Sequence, residues 1–479
     1  MLRSTKIVAT LGPSSNDPAT LERLLNAGVN MVRLNFSHGT AEDHIGRAAT
    51  VREIAKRLSR PVAVLVDLQG PKIRVGKFEK GKVTLEKGAK FILDAECQVG
   101  NLERVGLDYK ELPNDVEAGA ILLLNDGLIK MEVNEVRGPE VHCTVLLGGV
   151  LSNNKGINRQ GGGLTAPALT AKDMDDIKTA AKLNADYVAV SFPKSGSDMY
   201  MARTLLRAAG SKALLIAKIE RTEAITNLEE ILDASDGIMV ARGDLAVEVG
   251  EATVPALQKK MIKLARKKNK LTITATQMME SMIEAPVPTR AEVSDVANAV
   301  LDGTDAVMLS AESAAGKFPV ETVEVMARTC VEAEKSQESK IITEDALFGG
   351  DFNRIDQAIS MSALYAASRL NVKAIAALTQ SGSSALWISR FLCGVPIYAI
   401  TPQEETYNRL SLMRDVFPML VAQSSSDHDE QLVRAEVEML RRGVVQKGDI
   451  VIFIFGDVVG IGGGTNSMKI VKVGERRVS

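Results

Sequence analysis

Two tripeptides near the middle of the chain carry the residue types that divalent-cation chemistry needs, Lys218-Ile219-Glu220 and Arg242-Gly243-Asp244. Residues two apart on a strand share a face, so the Lys218 ammonium and the Glu220 carboxylate point the same way. The carboxylate can take a hard cation while the ammonium sits beside the same substrate oxygen. In the second tripeptide, glycine lets the backbone approach a ligand closely and Asp244 offers another hard oxygen. Two carboxylates with no histidine or cysteine beside them suit Mg²⁺ or Mn²⁺ better than zinc. Taken singly, each tripeptide is as well explained by a salt-bridged strand end or a Gly-Asp turn. Their recurrence at consecutive strand ends is what argues for a site.

The strands themselves come from the hydrophobic pattern. Short β-rich apolar runs at Ile7–Leu11, Met31–Leu34, Val62–Val66, Tyr187–Val190, Leu214–Ala217, Ile238–Val240, Leu271–Thr274 and Ala306–Leu309 alternate with amphipathic helical stretches. The first helix is punctuated by Asp17 as N-cap, Pro18 at the first helical position and Gly28 past the end, and Thr170 with Asp173 opens another. Such alternation implies parallel strands with right-handed crossovers, and eight of them imply a closed (β/α)8 TIM barrel of the α/β class. Barrels of this kind carry their active sites at the C-terminal strand ends. Those ends supply Arg33, Asn35, Ser37 and His38, then Asp67 with Lys72 and Arg74, Ser191-Phe192, Lys218 and Glu220, Arg242 and Asp244, Thr276-Gln277, and Ser310 with Glu312. A rim of cations, carboxylates and hydroxyls is what an anionic, phosphorylated substrate and a hard metal ion require.

The alternation breaks twice. Between Pro71 and Ala166 helical period gives way to short alternating pieces (Lys82–Leu85, Ala120–Leu124, Glu140–Leu146), which reads as a small β-barrel lid domain inserted after the third strand, with Gly161-Gly162-Gly163 as its hinge. The charged segment Lys335–Glu344 reads as a linker to a C-terminal α/β domain, with strands near Ala374–Leu378, Ile397–Ile400, Met419–Ala422 and Ile450–Phe455. The expected division is a catalytic barrel over residues 1–70 and 167–340, a lid over 71–166, and an effector-binding domain over 341–479. In that last domain Thr379, Ser381, Gly382, Ser383 and Ser384 follow a strand and open a helix, where amides and hydroxyls can hold a phosphate as readily as cap the loop.

With 479 residues the chain exceeds a single core, and 45% hydrophobic with 25% charged residues is ordinary globular composition. A net charge of −2 leaves no basic footprint for nucleic acid or an anionic membrane. Cys97, Cys143, Cys330 and Cys393 are too widely spaced for a zinc site or a disulfide framework and read as reduced core thiols of a cytoplasmic protein. The N-terminus lacks the apolar run of a signal peptide, and no stretch is long enough to span a bilayer. The glycines at Gly460 and Gly462–Gly464 precede the strand-like Met468–Val473 rather than a helix, which excludes a dinucleotide-binding loop. The Met-rich run from Gln277 to Met282 reads as helix packing, and Trp387 as core.

Longer stretches carry a resemblance. Met31-Val32-Arg33-Leu34-Asn35-Phe36-Ser37-His38-Gly39, Ile216-Ala217-Lys218-Ile219-Glu220, Met239-Val240-Ala241-Arg242-Gly243-Asp244-Leu245, and the run from Thr276 through Pro288-Thr289-Arg290-Ala291-Glu292 to Glu312 resemble the motifs of the pyruvate kinase family, as does Ser152-Asn153-Asn154-Lys155-Gly156 in the insertion. The resemblance implies phosphoryl transfer from phosphoenolpyruvate to ADP, giving pyruvate and ATP in the last step of glycolysis. It implies Glu220 and Asp244 as ligands of the divalent cation, and Lys218, Arg33 and Thr276 as catalytic residues. Substrate would be held by Arg33, Lys218, Gly243, Asp244, Thr276 and Ser310. Asn35, Ser37, His38, Arg74 and Lys155 would face the nucleotide. It further implies a homotetramer, while the loop Thr379–Ser384, set between a strand and a helix N-terminus, is expected to take the phosphate of a sugar-phosphate or nucleotide-monophosphate effector.

Asn35, Ser37, Asp67 and Leu68 match the family's monovalent-cation site, but here the wording departs from the commoner pattern. Where many members read Asp-Thr-Lys-Gly-Pro-Glu-Ile-Arg-Thr, this chain reads Asp67-Leu68-Gln69-Gly70-Pro71-Lys72-Ile73-Arg74-Val75. The Lys72 ammonium is similar to K⁺ in charge and size, so the expectation is an enzyme that does not require K⁺. The rival reading is a Mg²⁺-dependent barrel lyase or aldolase that forms a pyruvate enolate. It would use the same lysine and carboxylates, without the nucleotide-facing residues or the lid.

Overall fold

The computed structural model describes residues 2–336, 354–392, 394–422, 427–456 and 464–475. Eight parallel strands, Lys6–Thr10, Met31–Asn35, Ala63–Asp67, Tyr187–Val190, Leu214–Ile219, Gly237–Ala241, Leu271–Ala275 and Ala306–Leu309, close into a barrel in chain order, the first pairing with the eighth. Every expected run is a strand, shifted at its ends by a residue or two. Side chains such as Leu65, Tyr187, Ile216, Met239 and Ile273 fill the interior, and a second apolar layer packs the helices outside. The pairing sets Asn35 beside Asp67 and Ala241 beside Ala275, so the chemistry-bearing ends come out on one rim.

The helix starts follow the capping residues. The Asp17 carboxylate accepts from the Thr20 amide at 2.9 Å, and Thr170 with Asp173 forms a reciprocal capping box. Asp173 does more than cap. Fully buried, it also accepts from the Gly70 amide at 3.1 Å, tying the point where the chain leaves the barrel to the point where it returns.

Between those points lie a six-stranded sheet and two two-stranded ribbons, built around one apolar core that includes Phe91, Leu93, Leu122, Met131 and Val141. The C-terminal domain has a five-stranded sheet in which Val372–Leu378, Ile397–Thr401, Val416–Leu420 and Ile450–Gly456 are parallel and Thr465–Lys472 runs antiparallel at the edge. This domain docks on the N-terminal end of the barrel. Both terminal guanidinium nitrogens of Arg390, Nη1 and Nη2, bind the buried Asp305 carboxylate, which precedes the eighth strand, and the Arg414 amide adds a bond of 3.0 Å.

Four expectations change. Lys335 and Ser336 continue the helix Pro319–Ser336 instead of opening a linker, the remainder of which lies outside the described residues. The Met-rich run forms a short 3-10 turn, Glu280–Ile283, and buries Met278, Met279 and Met282 completely, so it is packing without being a regular helix. Trp387 is half-buried, tilted against Phe391 at 4.8 Å, and Cys97 is half-buried while Cys143 and Cys330 are core. Cys393, Gly460, Gly462 and Gly463 lie outside the described residues.

Candidate active site

The rim is organised around a buried charge cluster. Lys218 Nζ lies 3.0 Å from Glu220 Oε1 and 3.3 Å from Asp67 Oδ1, and donates to Ser191 Oγ at 2.7 Å. Arg33 Nε donates to the other Asp67 oxygen at 2.6 Å, and its Nη1 to Thr10 Oγ1 at 3.0 Å. Two cations and two carboxylates from the ends of three strands thus share one buried patch. Burial alone would raise the Asp67 carboxyl, but Lys218 and Arg33 outweigh it and hold the pKa below its ordinary value. Burial acts on Lys218 in the opposite sense, and Asp67 with Glu220 raises it instead. Glu220 is pushed up to about 7, first by burial and then by the negative charges of Asp244 and Asp67, against the pull of Lys218. Its Oε2 accepts the Phe192 amide at 2.9 Å, a residue whose φ of 55° turns that N–H inward.

Asp244 enters from the first turn of the helix Arg242–Val249, at the mouth rather than in the depth of the cluster. Beside Asp67, whose oxygens Arg33 and Lys218 engage, the rim carries the carboxylates of Glu220 and Asp244, a pair that could hold a cation. That fits Mg²⁺ or Mn²⁺, which take one or two carboxylates and complete their shell with water and substrate oxygens.

The residues expected to hold a substrate carboxylate are joined to each other. The Gly243 amide donates to Thr276 Oγ1 at 2.9 Å, and that hydroxyl donates to the Ala275 carbonyl at 2.6 Å. Thr276 has φ of 69° and Gln277 φ of 54°, a costly conformation for a β-branched residue. Arg242 holds it there: Nε donates to the Ala275 carbonyl, Nη2 to the Thr276 carbonyl at 2.6 Å, and Nη1 pairs with Asp295 at 2.6 Å. Ser310 ends the eighth strand, its amide bound to Glu312 Oε2 at 2.7 Å.

The nucleotide-facing set divides between barrel and insertion. Asn35 Oδ1 accepts the Ser37 amide at 3.1 Å, and exposed His38 gives its carbonyl to His44 Nε2 at 2.8 Å, an imidazole stacked on Phe36. Arg74 forms an isolated antiparallel bridge with Gly156, and Val75 donates to the Lys155 carbonyl at 2.9 Å, so Arg74 and Lys155 lie on neighbouring bridged segments of the insertion. Lys72 is not brought to Asp67. Its methylene chain runs beside Gly156, while Asp67 is already engaged by Arg33 and Lys218. The Leu68 side chain is buried, and its carbonyl accepts from Ser191 Oγ at 2.7 Å.

In the C-terminal loop the Thr379 hydroxyl accepts the Gly382 amide at 2.8 Å, and Ser381 and Ser383 share a bond of 2.6 Å on the surface. Ser384 is different: it is buried, its hydroxyl 2.6 Å from Thr465 Oγ1. Two contributors were missed from sequence. Thr10 closes the first strand but looks like any strand hydroxyl, and Ser191 was noted only as a strand end. Their position on the rim was the available signal.

A parallel barrel whose strand ends gather two carboxylates for a hard cation and two basic groups for an anion defines a cation-assisted barrel enzyme acting on phosphorylated substrates. Residues 2–323 match the family model described as pyruvate kinase, barrel domain, and residues 357–471 match pyruvate kinase, alpha/beta domain. The chain is 52% identical to pyruvate kinase II of Salmonella typhimurium, covering 98% of this chain and 99% of that one. It is 50% identical to a pyruvate kinase of Buchnera aphidicola, again over 98% and 99%. A crystal structure of a pyruvate kinase from Cryptosporidium parvum superposes with a TM-score of 0.93 at 34% identity, covering 98% of this chain and 96% of that one. The chain belongs to the pyruvate kinase family.

Proposed function

We propose that this enzyme moves the phosphoryl group of phosphoenolpyruvate to ADP, releasing pyruvate and ATP, at the cluster of Arg33, Lys218, Glu220, Asp244 and Thr276. The observation that carries the reading is the convergence of Lys218, Arg33, Asp67 and Glu220 within hydrogen-bonding distance on one rim. Glu220 and Asp244 would hold Mg²⁺ or Mn²⁺, which supplies charge neutralisation for the bound substrate. The chain's own residues do the rest by positioning and electrostatics, with no protein nucleophile. Arg33 and Lys218 face the phosphoryl group and the oxygen it leaves, where negative charge develops. The Gly243 amide and the Thr276 hydroxyl exchange their mutual bond for the substrate carboxylate, and Thr276 lies beside the carbon that takes up a proton. The freed enol becomes the ketone, which makes phosphoenolpyruvate a strong donor.

Arg74 and Lys155 reach the nucleotide from the inserted domain, which acts as a lid and keeps water from the phosphoryl group in transit. Asn35, Ser37 and His38 meet the nucleotide from the barrel. Lys72 supplies the fixed positive charge that makes K⁺ unnecessary, by its proximity to bound phosphates rather than to Asp67. The hydroxyls of exposed Ser381 and half-buried Thr379 and Ser383 bind the phosphate of a sugar phosphate or nucleotide monophosphate, and the enzyme assembles as a homotetramer in the cytoplasm. Pyruvate formation from phosphoenolpyruvate and ADP, with Mg²⁺ and then with excess chelator, tests the reaction. Turnover that survives chelation would remove Glu220 and Asp244 from the roles given them.

A further inference from the structure

The lid hinge is bonded to the same two segments that carry the cation ligands. Gly161, Gly162 and Gly163 have φ of 84°, 80° and 94°, a run of left-handed backbone that only glycine adopts at low cost. The Gly163 amide donates to Glu223 Oε1 at 2.5 Å, and the Arg221 guanidinium donates to the Leu164 carbonyl at 3.2 Å. Arg221 directly follows Glu220, and Glu223 lies three residues beyond it. On the other side the Gly161 amide donates to the Glu248 carbonyl at 3.2 Å, and Glu248 sits one helical turn beyond Asp244. The Glu248 carboxylate returns to the Thr222 amide at 2.9 Å, closing the loop between the two segments. A cleft of about 760 Å³, lined by Gly119, Arg159, Gly161, Thr222 and Glu248, separates lid from barrel beside these bonds.

Glu223 is the tightest point. A Cβ on Gly162 would stand 2.7 Å from its Oε1, so the carboxylate is packed flat against the glycine turn. Its Oε2 is buried with no hydrogen-bond partner, an arrangement that costs stability and leaves Oε1 as the oxygen that holds the turn. The second lid connection is pinned differently, by a buried bond from the Gly70 amide to Asp173 in the first turn of a barrel helix. Of the two connections, only the one at Gly161–Gly163 is made of three left-handed glycines and held from the cation segments.

We propose that Glu223 is a positioning residue for phosphoryl transfer: its carboxylate clasps the Gly162–Gly163 turn, so that the lid carrying Arg74 and Lys155 is set by the segment that carries Glu220. This rests on the reading of the lid as nucleotide-bearing. In Glu223→Ala the hinge amide loses its acceptor, and the lid samples open positions more often. The Michaelis constant for ADP rises about tenfold, the equivalent of one charge-assisted hydrogen bond, while that for phosphoenolpyruvate changes little. Glu223→Gln keeps an acceptor oxygen and restores most of the loss. Gly162→Ala pushes the carboxylate away from the other side and behaves like Glu223→Ala.

The test is hydrogen–deuterium exchange of the peptide spanning residues 159–166 in the full-length protein, beside kinetics and melting temperature for the three variants. The expected result is exchange about tenfold faster in Glu223→Ala than in the unaltered protein, near-normal in Glu223→Gln, with the ADP effect tracking exchange and the melting temperature of the barrel unchanged. Unchanged exchange in Glu223→Ala would overturn the clasp without reference to nucleotide. Faster exchange with an unchanged Michaelis constant for ADP would overturn the positioning role. In either case the reaction assigned to the rim stands on the unaltered protein's own turnover.

Discussion

Lys218 Nζ and Glu220 Oε1 stand 3.0 Å apart on the same face of the fifth barrel strand, a base and an acid that bury each other's charge. The pair survives burial because Asp67 and Ser191 complete the environment of the ammonium. Its first consequence is for turnover. Lys218→Met removes a preorganised positive charge and is expected to lower kcat by ~10²-fold or more. Measured by initial rates at saturating phosphoenolpyruvate and ADP, a loss of only a few-fold would contradict the role.

The carboxylates give a second expectation. Glu220→Gln and Asp244→Asn each delete one of two hard ligands and are expected to abolish nearly all turnover. Titration of Mn²⁺ followed by electron paramagnetic resonance should show weakened binding in both, with the melting temperature maintained. Unweakened Mn²⁺ binding would place the cation elsewhere.

Thr276 combines a strained backbone with a functional hydroxyl, and the two can be separated. Thr276→Ser keeps the hydroxyl that the Gly243 amide meets and is expected to stay within a few-fold of the unaltered enzyme. Thr276→Val keeps the shape without the hydroxyl and is expected to lose ~10²-fold in kcat/KM for phosphoenolpyruvate. Equal effects of the two would show that only the backbone matters.

Lys6 links pH to stability. Its ammonium donates to the Val416 carbonyl at 2.7 Å and lies 4.4 Å over the Phe417 ring. Burial, aided by Arg3, lowers its pKa to about 7, against an ordinary value near 10.5 in the unfolded chain. Between those values the unfolded state binds more protons, so stability rises with pH across that window and the cost of charging Lys6 is fully present below it. Lys6→Met should therefore melt higher than the unaltered protein at pH 6.5, and the difference should shrink towards pH 10. A gap that does not change with pH would refute this.

The effector loop is best probed on its exposed part. Ser384 is buried against Thr465, so a charge there would disturb packing instead of reporting on a ligand. Ser381→Asp places a negative charge at the surface beside Ser383 and is expected to bring the ratio of activity with and without sugar phosphate to one. A retained response would move the phosphate site away from this loop.

The barrel was legible because each of its eight strands is a short apolar run ended by polar residues, and burial on both faces leaves little else such runs can be. The site was legible for the same reason: Lys218, Glu220, Arg242 and Asp244 stand where strands end. What sequence could not provide was partnership across strands. Nothing in the neighbours of Asp67 says that Arg33 and Lys218 occupy its oxygens, leaving Lys72 to lie along Gly156. Nor does the run of methionines say that it turns as a 3-10 segment, since tight burial of Met278, Met279 and Met282 outweighs helical propensity there. Ser384 looked like its exposed neighbours because burial depends on a strand 81 residues away.

On the proposed mechanism, one rim passes a phosphoryl group directly from phosphoenolpyruvate to ADP. Phosphorus-31 nuclear magnetic resonance of the purified protein with both substrates and Mg²⁺ tests it most directly. The phosphoenolpyruvate signal is expected to fall as the γ-phosphate signal of ATP rises in equal amount, in K⁺-free tetramethylammonium buffer as in K⁺. Conversion of phosphoenolpyruvate to inorganic phosphate without ATP, or no conversion at all, would contradict it.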